Sequence, residues 1–250
     1  MATETARLRH SQAASCSRAL GYAVLGVPDS DPMDLAGTWV TNLGTDIHAA
    51  WQQSLDDWAA TKDGVTVETE VICSHAYAET AGHADALVTF PDGHKVCIEL
   101  KTINGTGFKR MFTGKAEGPR WSAVVQGCLN AAALDANELV IAYLAMESMS
   151  QWQADKAGIY DVAQRFSRDV SYNEDDIHRI ASHELTRWRD VLVQVDNLEP
   201  PERFIPLGDG VNVTITNPET GAWRDAVGKT GKTWQCDYCR YQQTCVADGE

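Results

Sequence analysis

The sequence predicts an α/β fold: a mixed sheet flanked by helices. Three observations carry this. Residues 65–102 alternate apolar and polar positions around a Pro91-Asp92-Gly93 turn, the pattern of paired strands. Glu138 to Met146 is almost uninterruptedly apolar, as a central strand covered on both faces would be. Two long segments, 40–58 and 177–195, place apolar residues at steps of three and four, the spacing of amphipathic helices.

Taken in order, Ser11 followed by Ala13, Ala14, Leu20, Ala23 and Val24 reads as a short helix with a serine cap. Gly26 to Asp34 breaks it. Val40, Leu43, Ile47, Trp51, Leu55 and Trp58 then mark a long helix with one apolar face. Val65–His75, Gly82–Phe90 and His94–Thr102 are three strands. Asn104 to Gly118 holds four glycines without periodicity and reads as a mobile loop. Pro119 suits the first turn of a helix running to about Leu134. After the apolar strand, Ile159–Ser167 is expected as another strand. Asn173 caps a helix with Glu174, Asp175 and Asp176 in its first turn and Ile177, Ile180, Leu185, Trp188, Leu192 and Val195 on its buried face. Pro200-Pro201 ends it. There is no internal repeat. The expected organisation is one domain over 1–250, with an N-terminal helical part (11–62), a core (63–147), a strand and helical part (148–200) and a turn-rich C-terminal segment (201–250).

Composition limits the function. With 44% hydrophobic and 22% charged residues the chain is of ordinary globular type. Its net charge of −14 argues against a general polyanion binder, because long-range steering would be repulsive. The longest apolar run, Leu139 to Met146, is far short of the ~20 residues of a membrane span. Residues 1–9 lack the apolar stretch of a signal peptide, so a cytoplasmic location without membrane contact is expected. In a reducing compartment, spaced cysteines suggest metal or redox chemistry before disulfides.

The hairpin brings the first chemistry together. Proline suits the first central position of a type I turn, and Gly93 supplies the left-handed residue of a three-residue loop. That loop opposes residues whose numbers sum to 184: Asp85 faces Glu99, and His83 faces Lys101. Period two puts Glu99 and Lys101 on one face with Cys97. A two-residue loop would send Asp85 to the other face. Facing carboxylates repel unless a cation lies between them, and oxygen ligands suit Mg2+ or Mn2+. Lys101 beside such a site would stabilise charge on an attacking water or a phosphate. The competing reading is a surface hairpin whose Glu and Lys pair in solvent.

Cys236, Cys239 and Cys245 form C-x2-C-x5-C, which needs a fourth ligand from elsewhere. Cys73 and Cys97 lie in apolar strand context and Cys128 in the core helix, where thiols act as small hydrophobes. Cys16 is left. Four thiolates would also suit zinc, although zinc ribbons more commonly show two close C-x-x-C pairs.

Gly82-His83-Ala84-Asp85, then Glu99-Leu100-Lys101-Thr102, then Gln126 on the next helix, resembles the PD-(D/E)-x-K nuclease superfamily in its RecB-like branch. The resemblance implies a restriction-endonuclease-like core. It implies divalent ions held by His48, Asp85, Glu99 and the Leu100 carbonyl, with Lys101 as catalytic lysine and Gln126 positioning it or the DNA. His48 borders the helical stripe beside Ile47 and Trp51, and Glu70 on the preceding strand is a further candidate. The branch has Gln-x-x-x-Tyr on the helix, whereas Asn130 occupies the tyrosine place here. One early cysteine with a late C-x2-C-x5-C resembles the iron–sulfur exonucleases of CRISPR loci and the AddB-type nucleases. By that resemblance Cys16, Cys236, Cys239 and Cys245 hold a structural [4Fe–4S] cluster. The implied function is a metal-dependent DNA exonuclease preferring single strands with 5′→3′ polarity, with an integrase or recombinase as partner and ring-like homo-oligomers. The alternative is a DNA-binding or processing accessory subunit of a CRISPR-adaptation or recombination complex.

Three other features bear on function. Gly228-Lys229-Thr230-Gly231-Lys232-Thr233 resembles the end of a P-loop but lacks the earlier glycine, the preceding strand and the following helix, which argues against nucleotide binding. Lys109, Arg110 and Lys115 follow the hairpin, where a basic loop would guide a DNA backbone. Trp121 and Trp234 are candidates for stacking bases, while Trp51, Trp58 and Trp188 fall on helical stripes and are expected in the core.

Overall fold

The turn Phe90-Pro91-Asp92-Gly93-His94 closes as its residue types require. The Phe90 N–H donates to the His94 carbonyl (2.9 Å), the Gly93 N–H donates to the Phe90 carbonyl (2.9 Å), and Gly93 takes φ +87°. In this computed structural model the described residues are 6–105, 107–108, 119–147, 150–165, 167–199, 201, 203–206, 214–216, 223–225, 228–230, 236 and 239–248. Their elements are β1 (Leu8–Arg9), α1 (Ser17–Val24), α2 (Leu35–Ala59), β2 (Thr66–His75), β3 (Thr80–Thr89), β4 (Lys95–Ile103), α3 (Trp121–Ala133), β5 (Glu138–Ala145), α4 (Gln151–Ala157), β6 (Ser167–Asn173), α5 (Glu174–Asp196), β7 (Phe204–Pro206), β8 (Thr214–Thr216), β9 (Trp223–Asp225), β10 (Gly228–Thr230) and α6 (Gln242–Ala247).

The turn sets the register of β3 against β4: Ala86 lies opposite Ile98 and Thr89 opposite Lys95, pairs that sum to 184. β2 pairs antiparallel with β3, and β5 runs parallel to β4 from Val96–Glu138 to Ile103–Ala145. A parallel neighbour needs a crossover, which contains α3. β6 lies antiparallel on β5 and β1 parallel on the start of β3, completing a six-stranded mixed sheet flanked by helices. β7 with β10 and β8 with β9 form two small pairs. Gly228–Thr230 is therefore strand and not the start of a helix.

The core lies between the sheet and α3, with α5 packed on α3. Val124, Val125, Cys128 and Leu129 meet Leu139, Ile141 and Tyr143, and Ile177, Ile180, Trp188, Leu192 and Val195 of α5 are buried. Cys73, Cys97 and Cys128 are core thiols. The Asn173 cap accepts the Asp176 N–H at 2.9 Å.

Several expectations are corrected. The first helix starts at Ser17, because extended Ala13 and left-handed Ala14 (φ +56°) separate it from Ser11, which sits in a 3-10 turn. The stripe of α2 is largely uncovered: Val40 is 65% exposed and Trp58 39%, since the helix meets β2, β3 and β4 along part of its length. β5 is buried on alternate residues only. Ile159–Ser167 is not a strand. Ser150 and Gln153 form a capping box that starts α4, and the strand follows at Ser167. The described start of the 104–118 stretch is a helical turn: Asn104 accepts from Gly107 N–H, and Phe108 is anchored in the core. Pro119 precedes the helix rather than sitting in its first turn.

The two ends of the chain are tied together. Glu184 on α5 is 2% exposed; it accepts the Ala14 N–H (2.8 Å) and both guanidinium arms of Arg187, which also donates to Ser17 Oγ. Tyr22 donates to Asp248 (2.6 Å), and Asp31 accepts from the Gln243 side chain (2.8 Å).

His10 is fully buried between Asn130 and Thr80, and burial depresses its pKa from the ordinary 6.5 to about 4. Because the folded value is the lower one, the unfolded chain binds more protons between those limits. This contribution to stability is complete above about pH 6.5 and is lost as pH falls toward 4, amounting to about 3 kcal/mol. His75, also lowered by burial, acts in the same direction. Glu99, whose pKa burial raises to about 7, acts in the opposite sense over the same range, so the His10 contribution is read as a difference: in urea unfolding the stability of the wild type relative to His10→Gln should fall between pH 7 and pH 4.5.

Candidate functional site

Hairpin register and strand period bring Asp85, Glu99 and Lys101 to one region, between α2 carrying His48 and α3 carrying Gln126. The β3–β4 ladder stops at Ala86–Ile98, so neither Asp85–Glu99 nor His83–Lys101 continues it. Instead the Asp85 carboxylate takes over: its Oδ2 accepts the Leu100 N–H at 2.7 Å, and its Oδ1 lies 3.3 Å from His48 Nδ1. The bond to Asp85 raises the His48 pKa, partly opposed by burial. The Leu100 N–H is thus fixed by the site; a role for its carbonyl stays with the family resemblance.

Glu99 is 1% exposed. Lys101 Nζ donates to its Oε1 at 2.6 Å and to Gln126 Oε1 at 3.1 Å. Asn130 Nδ2 donates to Glu99 Oε2 at 3.1 Å and to the His83 carbonyl at 2.9 Å. Burial pushes the Glu99 pKa up to about 7, the Lys101 charge pulls it down, and Asp85 pushes it up again. The surface-hairpin reading, with Glu99 and Lys101 pairing in solvent, does not describe this buried pair.

Two residues beyond the sequence reading join the site. Gln52, four residues after His48 on the same helical face, donates to Glu70 (2.8 Å) and to the Asp85 carbonyl (3.0 Å). Glu70 itself is exposed and left-handed at φ +52°, at the break in the β2–β3 pairing between Thr69–Ala86 and Val71–Ala84. The i+4 step from His48 was a signal that could have found Gln52. Asn130, noted as a departure from the family helix, is the second support of Glu99.

The other constellation lies apart. Cys16, Cys236, Cys239 and Cys245 all line one cavity of about 1200 Å³. Burial raises the Cys239 pKa first, and the three other thiols raise it further. Arg203 Nε donates to Cys245 Sγ at 3.2 Å. Arg9, Arg18, Arg120, Arg203 and Arg240 line the same cavity, with Asp31 the one carboxylate among its lining residues. Lys109, Arg110, Lys115 and Trp234 lie outside the described residues. Among the described residues no group of three or more His, Cys, Asp or Glu side chains is gathered closely enough to hold a metal ion.

The electrostatics give a direct check. Lys101→Met removes the nearest cation from Glu99 and leaves its burial in place, so the Glu99 pKa should rise further. A carboxyl carbon titration by NMR on both chains reads this; an unchanged or lowered value would contradict the geometry.

No protein-family model matches the chain, and no curated protein matches it. Among solved structures, the alkaline exonuclease LHK-Exo of Laribacter hongkongensis is 14% identical over 76% of this chain and 90% of that one, with a TM-score of 0.48. The same enzyme in complex with dAMP is 17% identical at the same coverages and score. A phage-related exonuclease from Haemophilus somnus 129PT is 12% identical over 73% of this chain and 81% of that one, with a TM-score of 0.46.

Proposed function

We propose that this chain is a divalent-metal-dependent DNA exonuclease of the RecB-like PD-(D/E)-x-K type, working as one unit over its length. The observation that carries the reading is a pair of polar clusters, His48 with Asp85 and the Leu100 N–H, and Glu99 with Lys101 and Gln126, set side by side by the consecutive residues 99–101. A surface ion pair would not bury Glu99 to 1% or hold Lys101 from two sides.

The donor set of carboxylate oxygens and one imidazole fits a hard divalent ion. His48, Asp85 and Glu99, with the Leu100 carbonyl, would hold Mg2+ or Mn2+. The chemistry supplied by such an ion is activation of a water and charge neutralisation at the phosphate. Gln126 fixes Lys101 in place, and the Lys101 ammonium stabilises negative charge developing on the phosphodiester. The Leu100 N–H orients Asp85, Asn130 orients Glu99, and Gln52 holds the backbone at Asp85. Single-stranded DNA is the proposed substrate and 5′→3′ the proposed polarity. The arginine-lined cavity offers an acidic chain one locally cationic surface for a phosphate backbone.

At the cavity, four soft thiols and the Arg203 donor suit a structural [4Fe–4S] cluster, with zinc as the alternative occupant. Its contribution would be to cross-link residue 16 to the C-terminal segment. Among the described residues no helix is long and apolar enough to cross a membrane; a cytoplasmic setting, an integrase or recombinase partner and homo-oligomers are part of the same proposal.

Lys101→Ala and Asp85→Ala should each lower Mn2+-dependent degradation of end-labelled DNA by about 100-fold or more while circular dichroism stays unchanged. Full activity in both folded variants would overturn the nuclease reading, and comparing 5′ with 3′ labels on single and double strands tests polarity and substrate. For the thiol site, anaerobically purified protein should be brown with broad absorption near ~400 nm, lost in Cys239→Ser. A colourless, zinc-loaded preparation would reverse the assignment.

A further inference from the structure

Glu99 is supported from two sides. Lys101 belongs to the reaction as proposed, but Asn130 leads away from it into the N-terminal segment. We propose that His10 is a positioning residue for the metal site, fixing the Glu99 carboxylate through Asn130. The proposal rests on the metal-site reading above.

Donors and acceptors fix the arrangement. Asn130 Nδ2 faces Glu99 Oε2 and the His83 carbonyl, and a backbone carbonyl only accepts, so the amide nitrogen lies on this side. That orientation turns Asn130 Oδ1 toward His10 Nδ1, 2.6 Å away, so Nδ1 must carry the proton. A neutral imidazole then presents Nε2 as acceptor, and the Thr80 hydroxyl, 3.2 Å away, donates to it. His10, Asn130, Thr80 and Glu99 are each 2% exposed or less, so water does not substitute for a missing partner. Burial keeps the imidazole neutral, as the chain of bonds requires.

The surroundings hold His10 in this one place. Leu8 and Arg9 pair with Thr80 and Ala81, and the rings of His75 and Trp188 lie 5.4 and 6.4 Å from the His10 ring. A Cβ at Gly82 would fall 2.5–2.7 Å from His10 Cβ, Cγ and Nδ1. The glycine that opens Gly82-His83-Ala84-Asp85 is thus the gap into which His10 fits. Without the His10 N–H, Asn130 Oδ1 is left without a donor in a site closed to water, and only the His83 carbonyl and Glu99 still hold the amide. An amide that shifts to satisfy Oδ1 draws its N–H away from Glu99 Oε2 and loosens the carboxylate.

The test uses the full chain. Mn2+ binding is followed by EPR without DNA, and the Asn130 side-chain amide signals, identified by their loss in Asn130→Leu, are followed by NMR exchange. His10→Phe keeps an aromatic ring but neither polar atom. It should weaken Mn2+ binding by about 10- to 100-fold, the usual cost of losing an outer support of a metal ligand, and expose the Asn130 amide to fast exchange. His10→Gln, which offers a donor and an acceptor, should restore both. A folded His10→Phe with wild-type Mn2+ affinity overturns the proposal, even if its amide exchanges fast. Should His10→Phe fail to fold, Asn130→Leu carries the same expectation, and unchanged Mn2+ affinity there overturns it equally. A wild-type chain that binds no Mn2+ sinks the metal-site reading itself. In that case Asn130 amide signals still protected in His10→Phe would overturn the role of His10 as well.

Discussion

A carboxyl group removed from water needs a donor for each oxygen, and around Glu99 that requirement organises the middle of the molecule. One oxygen is met by Lys101 from the same strand face, the other by Asn130 from the crossover helix. Lys101 is in turn held by Gln126 one turn earlier on that helix, so α3 cannot shift along β4 and β5 without breaking two bonds at once. Asp85 solves the neighbouring problem differently. It replaces a missing ladder bond with its own side chain on Leu100 and leaves its second oxygen to His48. The strand pair thus opens where chemistry is needed and nowhere before it.

The N-terminal segment is the second organiser. Within ten residues it supplies His10 to the polar core, Ala14 and Ser17 to the Glu184–Arg187 pair and Cys16 to the thiol cavity. A buried ion pair is costly unless its remaining lone pairs are filled, and here the Ala14 N–H does that. The same segment packs near the docked C-terminal residues, which approach through Tyr22 and Asp31. Thiols more than two hundred residues apart in sequence line one cavity, and these polar contacts tie the two segments beside it.

Charge is distributed to match. The chain carries −14, yet five arginines face the thiol cavity. Among the described residues, these arginines gather positive charge on a chain that is acidic as a whole.

Much of this was legible locally. Pro91-Asp92-Gly93 determined its own turn and, through it, the register of β3 on β4 from Thr89–Lys95 to Ala86–Ile98, one pair short of Asp85 and Glu99. Asn173 with its acidic first turn determined a helix start, and the alternation after residue 65 determined three strands. Each of these is written in neighbours a few residues apart, where turn geometry and side-chain period act directly. The start of α1 was misplaced because Ala14 takes a left-handed backbone whose partner, Glu184, is 170 residues away. The stripe of α2 reads the same whether it is covered or not, since periodicity says which residues share a face and not what that face meets. His10 had no local signature at all, for its partner is 120 residues distant. The sequence by itself therefore determined which carboxylates, lysine and cysteines were available and in what register. Only the tertiary structure decided which of them are buried, and so which must be held by a donor from across the fold.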